Sequence, residues 1–327
     1  MTVGKLQNAR ERLKLYQKKG TKAMIQLKRK FEGIIVANLT PYGEDGKLDE
    51  AAYRAHIEFM IERGVHGLFP IGTMGEGINI PLEEKKHIVD VLVDQNKDRI
   101  DLIVQGTCVN TEQSIEFAKY CYEHGVHAMA LITPWFYPYD DENLYQNFKA
   151  VAEAVPDMPI FIYNNPGRAN NKLTVKLYKR LLNDFENIVG VKDSSKDMGL
   201  FQDYVNEAPK EAIAISGSDS LFYLSLCAGA KGIVTAISNS HPEIFVALWD
   251  AFRAGDLEKA CEIQDEINRM RTIFKIGPYA SGYKYAIEKR GLKFGGFRLP
   301  LRDLTEAEKE KFEKAYADAE FIRKWEQ

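Results

Sequence analysis

Lys192 is the residue whose position in this sequence points most directly to covalent chemistry. It follows the apolar run 187–191 and precedes Asp193, Ser194 and Ser195. Desolvation at the mouth of a buried strand favours the neutral amine of a lysine, and a neutral amine attacks ketones. The segment by itself also fits a structural lysine whose aliphatic stem reaches water. Evidence from other residues is needed to distinguish a catalytic nucleophile from a structural lysine.

Three more segments place polar or aromatic side chains directly after apolar runs. The glycine turn, residues 72–77, carries Thr73 and could bring backbone N–H groups and a hydroxyl to an anion, although such turns often only reverse the chain. Tyr163 could move a proton and Arg168 could pair with a carboxylate, although a tyrosine here also fits the core. The aromatic loop, residues 133–139, could form a packed lid or a subunit contact.

Eight short apolar runs recur about every 25–35 residues from residue 32 onward, each followed by a helical pattern. They are apolar on both faces, as parallel strands covered on each side should be. This predicts an α/β fold, a closed (β/α)8 TIM barrel over residues 31–255. An open doubly wound sheet usually has fewer strands and a glycine-rich phosphate loop after the first, where this chain has residues 38–42 instead. The candidate strands are Gly33–Ala37, Gly67–Ile71, Leu102–Gln105, Ala128–Ile132, Ile160–Tyr163, Ile188–Val191, Ala212–Ile215 and Gly232–Thr235.

Capping residues predict where the helices begin and end. The region 256–327 has no strand pattern and is predicted to form helices 257–273, 283–289 and 305–325, a C-terminal helical region appended to the barrel. The predicted helix starts are Asp49, Thr111, Asp140 and Asp219, and the predicted ends are Gly64, Gly125 and Gly255.

Bulk composition excludes several classes of protein. The chain has 327 residues and a net charge of -3, which gives no general attraction to nucleic acid or to an anionic membrane. No apolar run approaches the ~20 residues of a membrane span, and no signal-peptide pattern opens the chain. The four cysteines form no CxxC pair and indicate reduced thiols in a cytoplasmic protein. His124 and His127 lack a third ligand nearby, so no metal site is predicted.

Residues 1–30 form a basic N-terminal extension with ten lysines and arginines and a single acid, Glu11. A basic helix over residues 6–19 could contact RNA, a membrane surface or a neighbouring subunit. A solvated extension outside the barrel is the commoner outcome for such a segment, and we expect it here.

The barrel brings the candidate residues together. Active sites of such barrels lie at the carboxyl ends of the strands. Thr73, Tyr163 and Lys192 each follow a different strand and therefore converge on one opening. Their joint occurrence favours a catalytic role for Lys192 over the structural alternative.

Several motifs around these residues resemble one known family. The segments 72–76, 163–168 and 190–195 resemble the signatures of the dihydrodipicolinate synthase/N-acetylneuraminate lyase family, and 217–219 and 277–280 look similar in the same order. The resemblance covers roughly residues 31–300. It implies a class I pyruvate-dependent aldolase or lyase without metal or cofactor, typically a homotetramer.

The resemblance also implies roles for individual residues. Lys192 would form a Schiff base with pyruvate or a 2-keto acid, and Tyr163 would act as general acid and base. Thr73 and the backbone of the glycine turn would hold the pyruvate carboxylate. The other residues that the resemblance places at the keto acid are Gly72, Met74, Gly75, Gly217 and Val234.

Departures from the family pattern bear on the co-substrate. Dihydrodipicolinate synthases typically carry a second threonine at Met74 and, at Phe136, a tyrosine donated across a subunit interface. Phe136 has no hydroxyl, so that proton relay is broken unless Tyr137 substitutes for it. Arg168 matches the arginine with which such synthases receive a second carboxylate. Ser194 and the aromatic loop instead look like the branch of lyases and 2-keto-3-deoxy sugar-acid aldolases.

Three hypotheses follow. The leading one is a pyruvate-dependent aldolase, or a related lyase or dehydratase, acting on a 2-keto-3-deoxy sugar acid or a related 2-keto acid, with an aldehyde as partner substrate. The second is a dihydrodipicolinate synthase that condenses pyruvate with aspartate semialdehyde. The third is a non-catalytic barrel that binds a keto acid. Sialic acid is disfavoured, since Ser220 and Ala236 replace polar partners of its glycerol tail.

Overall fold

A closed parallel barrel forms the body of the molecule. The computed structural model describes residues 24–326, and in this range eight strands pair in sequence order, with the first hydrogen-bonded to the eighth. The predicted (β/α)8 barrel is therefore confirmed. The strands are β1 (Gly33–Val36), β2 (Gly67–Leu68), β3 (Asp101–Gln105), β4 (Ala128–Ile132), β5 (Ile160–Asn164), β6 (Ile188–Asp193), β7 (Ile213–Ser216) and β8 (Gly232–Thr235).

Helices follow the strands and cover the outside of the barrel. Those that lie between strands or directly after β8 are α1 (Glu50–Glu62), α2 (Leu82–Asn96), α3 (Thr111–Glu123), α4 (Asp141–Ala154), α5 (Pro166–Ala169), α6 (Val175–Asp184), α7 (Met198–Glu207), α8 (Phe222–Cys227) and α9 (Pro242–Arg253). The C-terminal helices are α10 (Leu257–Phe274), α11 (Ser281–Lys289) and α12 (Glu306–Ala317).

Two of the four predicted helix starts are correct. Asp49 and Asp140 cap their helices by accepting a backbone N–H at the third helical position. The prediction for Thr111 is wrong by one residue, because the Asn110 side chain accepts from the backbone N–H of Gln113 at 2.8 Å. Asp219 is also wrong as a cap, since its carboxylate turns inward and accepts from the backbone N–H of Ala236 instead.

Apolar side chains of the strands alternate between two hydrophobic layers. One layer lies between the sheet and the helices, and the other fills the barrel interior. In β5, for example, Ile160 and Ile162 point outward, whereas Phe161 and Tyr163 point inward. The interior is thus a packed core, and the cavity above it lies at the carboxyl ends of the strands.

Residues 24–31 lie across the amino-terminal end of the barrel. The backbone N–H of Ile25 donates to the carbonyl of Glu186 at 2.9 Å, and Arg29 pairs with Asp101 at 3.1 Å. Phe31 packs edge-to-face on Phe161 inside the barrel. This part of the extension lies against the barrel with half-exposed and exposed side chains, while the predicted basic helix lies outside the described residues.

The C-terminal region packs on the barrel as three helices and a short 3-10 turn. The first two predicted helices are confirmed, but the third ends at Ala317 instead of reaching Trp325. The chain turns there because the Trp325 indole N–H donates to the Glu266 carboxylate on α10 at 2.7 Å. No helix in the described residues is long and apolar enough to cross a bilayer.

An irregularity between β5 and β6 decides which way Lys192 points. Ile160 pairs with Ile188, but Phe161 pairs with Gly190, so one residue of β6 is skipped. Strict alternation from Ile188 would have turned Lys192 toward the helices. The shift turns it into the barrel, directly opposite Tyr163 in the register.

Candidate active site

The amine of Lys192 lies inside the barrel, against two aromatic rings. Lys192 is only 4% exposed, and its Nζ is 3.5 Å from the ring centre of Phe69 and 4.0 Å from the ring centre of Tyr163. Burial lowers the pKa of Lys192 from its ordinary 10.5, although Tyr163 and Asp219 act in the opposite direction. The neutral, nucleophilic form of the amine is therefore more populated than it would be in an exposed lysine.

The hydroxyl of Tyr163 lies at the centre of a short polar chain. It is 3.3 Å from Thr73 Oγ1 and accepts a hydrogen bond from Asn165 Nδ2 at 2.9 Å. Burial would raise the pKa of Tyr163, but the charge of Lys192 and these hydrogen bonds outweigh it and lower that pKa. The two shifts are linked, because a neutral Lys192 no longer lowers the pKa of the phenol. A proton is thus easily exchanged at this hydroxyl.

The glycine turn that carries Thr73 is held in a strained backbone conformation. Ile71 and Glu76 have φ angles of 59° and 60°, which side-chain-bearing residues rarely adopt. A Cβ added at Gly77 would lie 1.7 Å from the Ile71 carbonyl oxygen. Glu76 in turn pairs with the buried Lys284 at 3.3 Å. The turn is therefore fixed from both sides, and Thr73 with it.

Behind Lys192, a buried carboxylate joins the ends of β5 and β6. Asp193 accepts hydrogen bonds from Asn164 Nδ2 and from Ser195 Oγ, both at 2.7 Å. On the cavity side, Ser194 Oγ donates to the Gly217 carbonyl at 3.3 Å. Gly217 must be glycine, since a Cβ there would lie 2.0 Å from Ser194 Oγ. These contacts hold the residues around Lys192 in place.

A cavity of about 470 Å³ opens above Lys192 at the carboxyl ends of the strands. Most of the residues predicted for the site border it together. They are Thr73, Met74, Tyr163, Arg168, Lys192, Ser194, Gly217 and Val234.

Four predicted residues lie elsewhere. Gly72 borders an adjoining cavity of about 330 Å³. Gly75 packs below the turn, where a Cβ would lie 2.7 Å from the Asn38 carbonyl oxygen, so close packing explains this glycine. Phe136 and Tyr137 project into solvent, 78% and 62% exposed, and border neither cavity of their own chain.

Several residues that border the cavity were not predicted for it. Phe69 could have been found as the last inward side chain of the second apolar run, and Asn165 by its place in the motif around Tyr163. The charged residues were harder to find, because a helix periodicity does not tell which helix faces the opening. The unpredicted charged residues are Lys196, Asp219, Arg271 and Lys275.

No group of three or more His, Cys, Asp or Glu side chains within residues 24–326 is arranged to hold a metal ion. His124 and His127, considered as ligands above, have other partners. His124 Nδ1 contacts the Tyr120 carbonyl oxygen at 2.8 Å, and His127 Nε2 contacts Asp98 at 2.8 Å.

The closed barrel and the buried lysine–tyrosine pair at its mouth define a class of protein, the (β/α)8-barrel aldolases and lyases. A sequence model of the dihydrodipicolinate synthetase family matches residues 30–319, and the chain belongs to this family. It is an enzyme of the lyase class, in a family that catalyses pyruvate aldol condensations.

Relatives of known name or structure agree with this assignment. The 4-hydroxy-tetrahydrodipicolinate synthase of Bartonella bacilliformis is 32% identical over 292 residues, which cover 89% of this chain and 99% of that protein. An uncharacterized DapA-like lyase of Halobacterium salinarum is 32% identical over 286 residues, 88% of this chain and 93% of that protein. The structure of the E. coli K12 prophage protein YagE in complex with pyruvate superposes with a TM-score of 0.85 at 26% identity, covering 88% of this chain and 98% of YagE.

Proposed function

We propose that this protein is a Schiff-base-forming, pyruvate-dependent aldolase that acts on a 2-keto-3-deoxy sugar acid or a related 2-keto acid. The observation that carries the proposal is the pairing of Lys192 with Tyr163. The amine is buried within 4.0 Å of the tyrosine ring, and the tyrosine hydroxyl reaches Thr73 and Asn165. A nucleophile and a proton donor thus face one cavity.

The two residues suffice for the steps of cleavage. Lys192 Nζ attacks C2 of the keto acid, and Tyr163 gives its proton to the departing hydroxyl, which leaves as water and produces the protonated imine. The phenolate then takes the proton of the C4 hydroxyl, the C3–C4 bond breaks, and its electron pair moves to the imine as an enamine while the aldehyde departs. Protonation at C3 and hydrolysis of the imine release pyruvate and free Lys192.

Residues around the amine would hold the keto-acid end. Thr73 Oγ1 is 3.3 Å from the Tyr163 hydroxyl, so a carboxylate bound at Thr73 would place C2 near both reacting residues. The backbone at Gly72 and Met74 would add N–H donors, and Val234 would contribute its carbonyl across the cavity.

Three positions favour the sugar-acid branch. Met74 borders the cavity and offers no hydroxyl beside Thr73. Ser194 borders the same cavity and supplies a hydroxyl suited to a polyol substrate. Phe136 also lacks a hydroxyl, so it cannot relay a proton to Tyr163 even from a neighbouring subunit.

A dihydrodipicolinate synthase is the second candidate. Arg168 borders the cavity and could receive the carboxylate of aspartate semialdehyde, and several relatives carry the synthase name. A non-catalytic barrel is not proposed, because the family consists of enzymes.

The proposal is tested by borohydride reduction in the presence of pyruvate. We expect the mass of reduced pyruvate on the peptide that contains Lys192, and no adduct in Lys192→Arg, whose guanidinium stays protonated. Absence of the adduct from the unaltered protein would refute the Schiff base. Turnover of pyruvate with glyceraldehyde is expected for the sugar-acid aldolase, whereas turnover with aspartate semialdehyde alone would establish the synthase instead.

We also propose a homotetramer in which the aromatic loop contacts a neighbouring subunit. Phe136 and Tyr137 pack edge-to-face on each other yet are mostly exposed, and Val109 is exposed as well. Such apolar groups at a surface mark interfaces. Sedimentation should show four copies for the unaltered protein and a smaller species for Phe136→Glu, and an unchanged species would reject the contact. The cytoplasmic location stays a prediction from the cysteine pattern.

A further inference from the structure

The charges that border the main cavity are strongly unbalanced. Besides Lys192 and Arg168, three more cationic side chains border it: Lys196 from the loop after β6, Arg271 from α10, and Lys275 directly after α10. The single acidic side chain among the lining residues is Asp219. Asp219 is buried, and its carboxylate already accepts from the Ala236 N–H at 3.3 Å.

The three additional cations form one group, called the basic cluster below. Arg271 lies in the last turn of α10, and Lys275, four residues later, is the residue that caps the carboxyl end of this helix. Burial, Arg271 and Lys196 all lower the pKa of Lys275, while Asp219 opposes them. Lys196 adopts a left-handed backbone conformation with φ 65°, an unusual geometry for a residue with a side chain. The cluster thus consists of like charges that influence one another.

Carboxylates do not neutralise the basic cluster. Within residues 24–326, none of its members has a carboxylate oxygen within 4.0 Å, whereas other arginines of the C-terminal region are paired. Arg290, for example, is 2.7 Å from Glu243. The helix dipole stabilises cations at the carboxyl end of α10, but three cations at one cavity repel one another until an anion binds. Cations that repel one another and have no carboxylate partner are expected at an anion-binding site rather than on a surface selected for stability.

We propose that Lys196, Arg271 and Lys275 form a subsite for a second anionic group, a carboxylate or a phosphate carried by the aldehyde-derived end of the substrate. This subsite is separate from Arg168, which stacks on Tyr279 and borders the adjoining cavity as well. The three residues of the basic cluster do not border that adjoining cavity. The inference rests on the proposed function, since it orients a substrate whose keto end is bound to Lys192. It makes the natural co-substrate an anionic aldehyde.

The test compares three aldehydes in aldol addition with pyruvate: neutral glyceraldehyde, glyceraldehyde 3-phosphate and tartronate semialdehyde. The double variant Arg271→Gln/Lys275→Gln should lower kcat/KM for the preferred anionic aldehyde about 30-fold or more. It should lower kcat/KM for glyceraldehyde less than about 3-fold, because only the anionic aldehyde loses charge-assisted hydrogen bonds. Which anionic aldehyde is preferred separates a carboxylate from a phosphate ligand.

Two further variants serve as controls for this comparison. Lys275→Gln alone changes an exposed side chain and should give the same selective loss, in a smaller amount, even where the double variant does not fold. Lys259→Gln lies on the same helix, where it pairs with Glu262 at 3.6 Å outside the cavity, and should leave all three activities unchanged. Equal losses for charged and neutral aldehydes in Lys275→Gln would overturn the subsite.

A binding measurement removes the dependence on turnover. Protein whose Lys192 has been reduced onto pyruvate is titrated calorimetrically with inorganic phosphate and with malonate. We expect one of these anions to bind, and at least 10-fold weaker binding to Lys275→Gln. Binding of neither anion, or equal binding to the variant, would overturn the subsite while the pyruvate adduct leaves the proposed function intact. A failure to form the adduct would refute the proposed function instead.

Discussion

The pairing of one buried amine with one buried phenol defines the chemistry at the scale of residues. Lys192 is held over Phe69 and Tyr163, where water cannot solvate an ammonium ion well. Each ionised group is stabilised mainly by the other, so the pair exchanges a proton without needing a third ionised residue. Such an arrangement favours reactivity over stability.

Replacement of Lys192 by methionine should stabilise the protein. The folded-state pKa of Lys192 lies below its unfolded value of 10.5, so the folded state binds this proton less tightly, and stability is lost as the pH falls below 10.5. Lys192→Met removes this loss, which is about 1.4 kcal/mol for each unit of pKa shift. Thermal unfolding should show a higher Tm at pH 7 and a gain that fades as the pH approaches 10.5. A lower Tm at pH 7 would contradict this account.

Removal of the Tyr163 hydroxyl should slow catalysis while preserving the packing. Tyr163→Phe keeps the ring against Phe69 but takes away the group that protonates the carbinolamine and accepts the substrate proton. A loss of about 10²–10⁴-fold in kcat is expected, with slower but detectable borohydride trapping of pyruvate. Tyr178→Phe, at an equally buried tyrosine in the outer layer, should change kcat little. Similar kcat values for both variants would exclude Tyr163 as the acid.

Single elements contribute by precise backbone shape rather than by side-chain chemistry. β6 skips one residue against β5 and thereby turns Lys192 inward, and the glycine turn holds Thr73 through two residues with positive φ. The same strand needs Gly190 at the shifted position, since a Cβ there would lie 2.0 Å from the Ile213 carbonyl oxygen and 3.0 Å from the Phe161 ring. Backbone irregularity here serves the site.

Gly190→Ala should therefore damage both stability and activity. The added methyl group meets backbone atoms of β7 that cannot rotate away, so overpacking of about 1–3 kcal/mol or more is expected, with the Lys192 amine displaced. Chemical denaturation and pyruvate trapping measure the two effects.

Gly199→Ala is the matched control for that change. Gly199 lies in α7, where the nearest atom to an added Cβ is the Asp197 side chain at 3.4 Å. Alanine should be neutral there, or stabilising by up to ~1 kcal/mol. If Gly190→Ala behaved like this control, the strand shift would not depend on the glycine.

At the scale of the whole molecule, the C-terminal region takes part in the active site. α10 and the residue that caps it contribute Arg271 and Lys275 to the cavity, and α11 contributes Lys284, which pairs with Glu76 of the glycine turn. Both partners of that pair are almost completely buried, and burial lowers the pKa of Lys284 to about 8. A region distant in sequence thus supports the turn that carries Thr73.

Lys284→Met should destabilise the protein strongly, because it leaves the buried Glu76 carboxylate without its cationic partner, and the Arg298 backbone N–H at 3.4 Å does not neutralise its charge. About 3–5 kcal/mol is typical for breaking a buried pair, and the double change Lys284→Met/Glu76→Gln should recover much of the loss. Lys309→Met, in an exposed pair with Glu306 at 2.9 Å, should lose less than ~1 kcal/mol. Denaturant unfolding compares the three variants, and equal effects for Lys284→Met and Lys309→Met would argue against the coupling.

The amino-acid sequence determined the number of strands, the barrel and the residues Lys192, Tyr163 and Thr73. Local patterns suffice for these features, because each strand is a short apolar run and the carboxyl ends of parallel strands must meet at one end of a barrel. Membership of the family followed from short motifs around the same residues.

Only the tertiary structure decided the inward direction of Lys192, the packing role of Gly75 and the basic cluster at the cavity. The first depends on one skipped residue between two strands that lie about 28 positions apart, and the last on which face of α10 packs toward the barrel mouth. Neither leaves a local signature, since a period of two or of 3.6 residues gives the spacing of side chains but not the partner that each face meets.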